Sequence, residues 1–175
     1  PRTTCLAGYK NLIKLKDIVT NMPDKIKRVS WEDLEQLNKI LIKKLKKEKF
    51  DYLLCIGSGG LILGKLISDS KGIPLAAIIA ESYEKGEQKK KGVQLSNIAS
   101  VNPIYGRILI VDDLADSGDT LLKVIDHLKK LKMITEIKIA VTFTKPWSKV
   151  KPHFFVEETE AWIIFPYKKT EFVGS

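Results

Sequence analysis

The sequence predicts an α/β fold, a doubly wound and largely parallel sheet flanked by helices. Three observations carry this expectation. Apolar segments of strand length and segments of helical period alternate along the chain in the order β-α-β-lid-β-α-β. The segment at 107–111 contains Ile108, Leu109, Ile110 and Val111 without polar alternation, as in a strand covered on both faces. Two expected helices open at glycine-bearing turns directly after a strand, the arrangement with which open sheets hold ligands beyond their carboxyl edge.

Taken in order, a helix is expected from about Ser30, an N-cap followed by Asp33, with Leu34, Leu37, Ile40, Leu41 and Leu45 on one face. A strand fits at 52–56. The turn Gly57-Ser58-Gly59-Gly60 opens a helix to about Ser70, and Gly72-Ile73-Pro74 separates it from a strand at 75–80. Residues 81–106 are mostly polar and read as a long loop or exposed hairpin, a mobile lid, since loops of that length inside a compact domain are usually functional. The 107–111 strand leads into a helix from about Leu121 to Leu131. Further strands fit at 137–143, with Ile137, Ile139, Val141 and Phe143 facing one way, and at 161–164. The whole of 1–175 is expected to form a single domain, with 1–29 and 145–175 as a small hood.

Composition sets bounds. The 175 residues, 44% of them hydrophobic, suffice for one domain with a real core. The two cysteines, Cys5 and Cys55, argue against a disulfide scaffold, and Cys55 reads as a small buried hydrophobe. No apolar run reaches membrane-span length and no signal-type apolar core is visible, so a soluble, cytoplasmic chain without a membrane partner is expected. The net charge of +9 draws on Lys43, Lys44, Lys46, Lys47 and Lys49, read as a solvated helix face, and on Lys89, Lys90 and Lys91 in the lid. It favours anionic ligands in general, nucleic acid included.

The chemistry concentrates in the run from Ile108 to Thr120. Asp112 and Asp113 are expected at the carboxyl edge of the strand, followed by Asp116-Ser117-Gly118-Asp119-Thr120 at a helix start. Free amides there, with Gly118 permitting close backbone approach and the Ser117 and Thr120 hydroxyls nearby, form a phosphate cradle. The neighbouring carboxylates suit sugar hydroxyls or a divalent cation. The ligand implied therefore combines a phosphate with a hydroxyl-bearing, metal-binding portion. Gly57-Ser58-Gly59-Gly60 is a second anion-binding turn. The stretch Gly59 to Lys65 nearly spells a nucleoside-triphosphate loop, but position 66 is Leu where magnesium needs Ser or Thr, and Leu61, Ile62 and Leu63 suit a buried helix. His127 and His153 lack ligand spacing.

The run Ile108–Thr120 resembles the signature with which type I phosphoribosyltransferases bind 5-phosphoribosyl-1-pyrophosphate (PRPP), and the chain from roughly 30 to 167 is similar to the purine (xanthine-guanine and hypoxanthine) branch of that family. The resemblance implies that Asp112 and Asp113 hold ribose hydroxyls, that Asp113 contacts Mg2+, and that Asp116, Ser117, Gly118, Asp119 and Thr120 bind the 5′-phosphate. It makes Asp116 the general base toward the purine N7 proton. It assigns Ser58, Gly59 and Gly60 to pyrophosphate, with Ser58 where the family usually has Lys or Arg. Lys65 or the lid lysines would then have to stand in. Ser82 and Tyr83 resemble the pair that opens the mobile catalytic loop. Lys145-Pro146-Trp147 and Glu160-Ala161-Trp162-Ile163 resemble base-binding elements, with Lys145 donating to a 6-oxo group, Trp162 stacking and backbone near it accepting.

The function implied is conversion of a 6-oxopurine and PRPP to a nucleoside 5′-monophosphate and pyrophosphate in purine salvage, with Mg2+, by a homodimer or homotetramer. Two alternatives stand beside it. One is a PRPP-sensing regulatory or nucleic-acid-binding protein with weak or no catalysis; the other is a phosphoribosyltransferase for another base such as adenine.

Overall fold

The computed structural model describes residues 25–85 and 90–168, without the side chains of 82–91. They fall into two compact units, a larger one at Trp31–Glu160 and a smaller one formed by the segments up to Ser30 and from Ala161. Residues 145–160, expected in the hood, thus lie within the larger unit.

In the smaller unit, β1 (Ile26–Arg28) pairs in parallel with β9 (Trp162–Ile164). Trp162 N–H donates to the Lys25 carbonyl at 2.8 Å, and Val29 N–H donates to the Ile164 carbonyl at 2.9 Å. The rings of Phe165 and Tyr167 stack at 5.2 Å. The strand expected at 161–164 exists, but it belongs to this two-stranded ribbon and not to the main sheet.

The larger unit runs α1 (Trp31–Lys44), β2 (Tyr52–Ile56), α2 (Gly57–Lys71), β3 (Leu75–Ile78), β4 (Ala80–Lys85), β5 (Lys90–Leu95), β6 (Gly106–Ala115), α3 (Asp119–Leu128), β7 (Ile134–Thr144) and β8 (Phe154–Glu158). Its central sheet has the order β3-β2-β6-β7-β8. Every pairing in it is parallel. The expected α/β, largely parallel architecture is what the chain adopts.

Strand polarity explains the layers. Leu54, Ile56, Ile108, Ile110, Ile139 and Val141 point into one core, where α3 contributes Leu121, Val124 and Leu128. Leu53, Cys55, Leu109, Val111 and Ala140 point into the other, where α1 supplies Leu41, the turn after it Leu45, and α2 supplies Leu63 and Ile67. With period-2 alternation, a strand buried on both faces must be apolar at every position, which is why β2 reads Tyr-Leu-Leu-Cys-Ile. Burying each such Leu or Ile contributes about 1.5–3 kcal/mol. Among the described residues no helix is long and apolar enough to cross a membrane.

Several bounds differ from expectation: β3 is Leu75–Ile78 where 75–80 was expected, α3 is Asp119–Leu128 where about 121–131 was, and β7 is Ile134–Thr144 where 137–143 was. β6 continues through Ala115, so Asp112 and Asp113 lie within the strand and not beyond it, because pairing with β7 persists to Ala115 opposite Thr144. β8 was not expected, and it completes the sheet edge. Of the two readings of 81–106, hairpin holds for part: β4 and β5 pair antiparallel from Ala80 opposite Leu95 to Lys85 opposite Lys90.

From β2 the chain winds outward to β3, then crosses back to β6 and winds the other way to β7 and β8. The switch point therefore lies between the adjacent strands β2 and β6, where such sheets leave a crevice at their carboxyl ends. Glycine is required there by contact. A Cβ at Gly59 would run into the Asp113 carboxylate, and one at Gly60 into the Val111 carbonyl. A side chain could rotate away from Gly59, but the Val111 carbonyl belongs to the central strand. Gly60→Ala should accordingly lower stability by about 1–3 kcal/mol, the range for overpacking a close-packed site, as read by urea unfolding. A loss below about 0.5 kcal/mol, the scale of neutral surface changes, would show that the turn is free to shift.

Candidate active site

Two turns follow the strands that border the switch point. The first is Gly57-Ser58-Gly59-Gly60 after β2. Gly57 takes a left-handed φ of +53°, Ser58 is exposed, and Gly59 and Gly60 are buried against β6. The second follows β6, where Gly118, at φ +82°, caps α3. Left-handed backbone suits glycine, and contact excludes larger residues as well: a Cβ at Gly118 would lie 2.9 Å from Val150 N and 3.0 Å from Ser148 Oγ. Gly118 has no side chain with which to cap α3; of the first amides of this helix, that of Asp119 donates to Ser117 Oγ at 3.3 Å.

Around these amides stand the acidic residues. Asp113 is only 7% exposed and sits behind Gly59, while Asp112 is half-buried and accepts the Asp113 N–H at 2.9 Å. Asp116 and Ser117 are exposed, and a small cavity of about 90 Å3 lies among Asp112, Asp116, Ser117, Gly118 and Thr120. Ser117 Oγ donates to the Asp119 carboxylate at 2.9 Å. These positions, assigned to PRPP by resemblance, are thus brought to one edge of the larger unit together with the Ser58 turn.

The loop after β7 is sewn onto the loop after β6. Lys145 N–H donates to the Ala115 carbonyl at 2.9 Å, and Lys149 N–H to the Ser117 carbonyl at 3.0 Å. Trp147 Nε1–H donates to Asp116 Oδ1 at 3.1 Å, and Lys149 Nζ to Asp119 Oδ1 at 2.6 Å. Lys145 is 6% exposed, and its ammonium lies 5.4 Å from the centre of the Trp147 ring. Burial pushes its pKa below the ordinary lysine value, while Asp116 and then Glu160 oppose the shift. A lysine in this setting is a desolvated donor, whose hydrogen bonds are stronger than those of a solvated one.

The sequence singled out Lys145 but gave no role to Trp147, Ser148 or Lys149. The only signal for them was their place directly after a strand, in a run containing two lysines and a tryptophan. Of the other candidates, Ser82 and Tyr83 lie on β4 opposite Val93 and Gly92, and their side chains are outside the described residues, as are those of Lys89, Lys90 and Lys91. Lys65 is engaged with Asp69 one turn along α2, at 2.5 Å. Trp162, partly exposed, and Ile163, buried, belong to the smaller unit. Cys55 is buried and flanked by Asp112, which together push its thiol up to about 12 and leave it un-ionised.

A hard cation would find oxygen donors in Asp112 and Asp113. Among the described residues no group of three metal-binding side chains occurs. One or two carboxylates completed by substrate oxygens is the usual way in which Mg2+ is held beside phosphates, and the donor set here fits that mode.

Comparison with known proteins places these features in context. Residues 30–168 match the family model of the phosphoribosyl transferase domain. The chain is 27% identical over 143 residues to a xanthine-guanine phosphoribosyltransferase of Idiomarina loihiensis, covering 79% of this chain and 84% of that protein. The structure of a purine phosphoribosyltransferase from Pyrococcus horikoshii superposes with a TM-score of 0.73 at 32% identity, covering 82% of this chain and 95% of that one. A transcriptional regulator, GfcR, of Methanococcus maripaludis is 30% identical over 103 residues, covering 58% of this chain and 49% of that protein.

The Lys149 contact carries a pH consequence. Hydrogen bonds from Lys149 and then Ser117 hold the Asp119 carboxyl below its ordinary value of 3.8. A carboxylate lowered on folding adds stability that is present above the unfolded value and lost as pH falls through the depressed folded one. In Lys149→Met, the Asp119 carboxyl midpoint followed by NMR should rise toward 3.8. The acid-side loss of stability should shrink with it. An unmoved midpoint would show that the ion pair does not form in solution.

Proposed function

The chain belongs to the phosphoribosyltransferase family, and from that premise we propose that it joins a 6-oxopurine to PRPP, releasing pyrophosphate and a nucleoside 5′-monophosphate, as in purine salvage. The observation that carries the acceptor class is Lys145, a buried lysine tied by its backbone to the last residue of β6 and so set beside the phosphate loop. A site built around a buried ammonium favours an oxo acceptor over the amino group of adenine, because an ammonium only donates and the 6-amino group is itself a donor.

Residue by residue, the amides at the start of α3 and the Ser117 and Thr120 hydroxyls receive the 5′-phosphate. Asp112 and Asp113 hold the ribose hydroxyls, and these two carboxylates would also hold Mg2+. When bound, the ion supplies positive charge against the pyrophosphate oxygens. The turn at Ser58 offers backbone N–H groups to the departing pyrophosphate. As the purine N9 attacks C1′ and the C1′–O bond breaks, the electron pair leaves with pyrophosphate and Asp116 accepts the proton from N7. Catalysis in this reading is positioning and electrostatic stabilisation for the most part. Trp162 and Ile163 are assigned to the base, the smaller unit to a hood, Ser82 and Tyr83 to a lid that excludes water, and the assembly to a homodimer or homotetramer, each by family resemblance.

A second reading is favoured by the similarity to GfcR and by Ser58, where the family usually carries a cation: a PRPP-responsive regulator that binds nucleic acid through its +9 charge. Nucleotide formation from PRPP with guanine, xanthine, hypoxanthine and adenine in parallel separates the two. We expect turnover with 6-oxopurines; salt-sensitive DNA binding without turnover would replace the enzymatic reading.

Two variants sharpen the assignment. Asp113→Asn should weaken PRPP binding by about 1.5–3 kcal/mol, the scale of a charge-assisted hydrogen bond, and calorimetry giving wild-type affinity would remove this residue from the site. Lys145→Ala should collapse the guanine-to-adenine ratio of kcat/KM. A preserved ratio would reduce Lys145 to a structural residue.

A further inference from the structure

We propose that Trp147 is a positioning residue that sets the spacing between a proton acceptor, Asp116, and a donor, Lys145, so that the pair reads adjacent N7–H and O6 groups on one edge of a 6-oxopurine. The inference rests on the reading of Asp116 as acceptor of the purine proton, and it concerns a residue to which neither the motif nor the family resemblance gives a role.

The argument begins with what holds each group. Asp116 is the first residue past β6 and is exposed, so nothing in its own backbone confines its carboxylate. The described contact that directs it is the indole N–H of Trp147, at 3.1 Å to Oδ1. Trp147 is itself 55% exposed, so its ring is not wedged into a core. Its backbone is fixed instead. The hydrogen bonds Lys145 N–H to Ala115 O and Lys149 N–H to Ser117 O bracket it, Ser148 N–H closes a turn on the Lys145 carbonyl at 3.1 Å, and Pro146 restricts the chain immediately before it.

One flat, rigid ring thus touches both polar groups. Its edge donates to Asp116, and the Lys145 ammonium lies 5.4 Å from its centre, within the range of a cation–π contact. In a 6-oxopurine, O6 on the six-membered ring and N7 on the five-membered ring are neighbours along one edge of the base. Recognising them takes a donor and an acceptor at a fixed separation, which two independently mobile long or exposed side chains would not maintain. An indole has two flexible torsions, so it holds that separation at small entropic cost.

The test is a double-mutant cycle of Trp147→Phe and Asp116→Asn, with kcat and KM measured for guanine and PRPP. Phenylalanine keeps an aromatic face for Lys145, smaller than the indole, and removes the N–H donor. We expect Trp147→Phe to lower kcat roughly ten- to a hundredfold, the effect of losing one hydrogen bond to a charged group, with the KM for PRPP unchanged. In the Asp116→Asn background the same change should have little further effect. The indole N–H resonance of Trp147 should also shift in Asp116→Asn, a readout independent of turnover. Wild-type kcat in Trp147→Phe, or an equal loss in both backgrounds, would overturn the positioning role and leave that of Asp116 standing. Wild-type activity in Asp116→Asn would remove the base itself, and with it the proposal. A rise in the PRPP KM, matched by a lower melting temperature, would mean that Trp147 serves only to hold the loop.

Discussion

The parallel pairing of β6 with β7 is the constraint on which the site depends, because it does not stop where the sheet stops. Ala115 and Thr144 are still in register. One residue further on, Lys145 donates to the Ala115 carbonyl, and Lys149 then donates to Ser117. Two loops that would otherwise be independent surface connections are thereby held by main-chain hydrogen bonds of the sort that build the core. Side chains follow from the backbone: the Lys149–Asp119 ion pair and the Trp147–Asp116 hydrogen bond both cross the same seam. Exposed ion pairs contribute little to stability alone. Their significance here is geometric, since each fixes a charge beside the turn at 116–120.

On the other side of β6 the contact is steric. Gly59 and Gly60 let the turn after β2 lie directly on Asp113 and on the Val111 carbonyl. The turn gains closeness at the cost of functional groups, for it presents little but amides and the Ser58 hydroxyl. Whatever positive charge reaches this part of the crevice has to come from elsewhere. Lys65, the nearest lysine in sequence, is engaged with Asp69 on the surface of α2. The two halves of the crevice are thus unlike in kind: one is shaped by charged side chains on a stitched loop, the other by bare backbone.

The sheet was legible because β2 and the Ile108–Val111 stretch of β6 are buried on both faces and must be apolar at every position. The glycine turns were legible because so few residues can follow a buried strand at close approach. What escaped reading was non-local. Asp112 and Asp113 read as the end of a strand by their polarity, whereas main-chain pairing with β7 carries the strand past them whatever their side chains are. β8 was hidden because Phe154, Phe155 and Val156 run into Glu157 and Glu158 within a generally aromatic tail. The strand at Trp162–Ile164 was foreseen, but its partner, the charged Ile26-Lys27-Arg28, carries no local sign of pairing. Within the site, Lys145 could be nominated from resemblance, but the contacts of Trp147 and Lys149 span 31 and 30 residues and leave no trace in spacing.

That separation bears on how the protein is made. The cradle at residues 116–120 lies close together in sequence, yet its geometry depends on β2, more than fifty residues upstream in register (Leu54 opposite Ile110), and on a loop some thirty residues downstream. Contacts of such range are slow to form, because chain entropy is lost before they are rewarded. During synthesis from the N-terminus, the motif leaves the ribosome well before the residues that brace it. A nascent chain would carry the full signature and no working pocket until the stretch through Val150 had emerged and docked. Competence to bind ligand should therefore arrive late and all at once, making ligand capture by the growing chain a reporter of when its sheet closes.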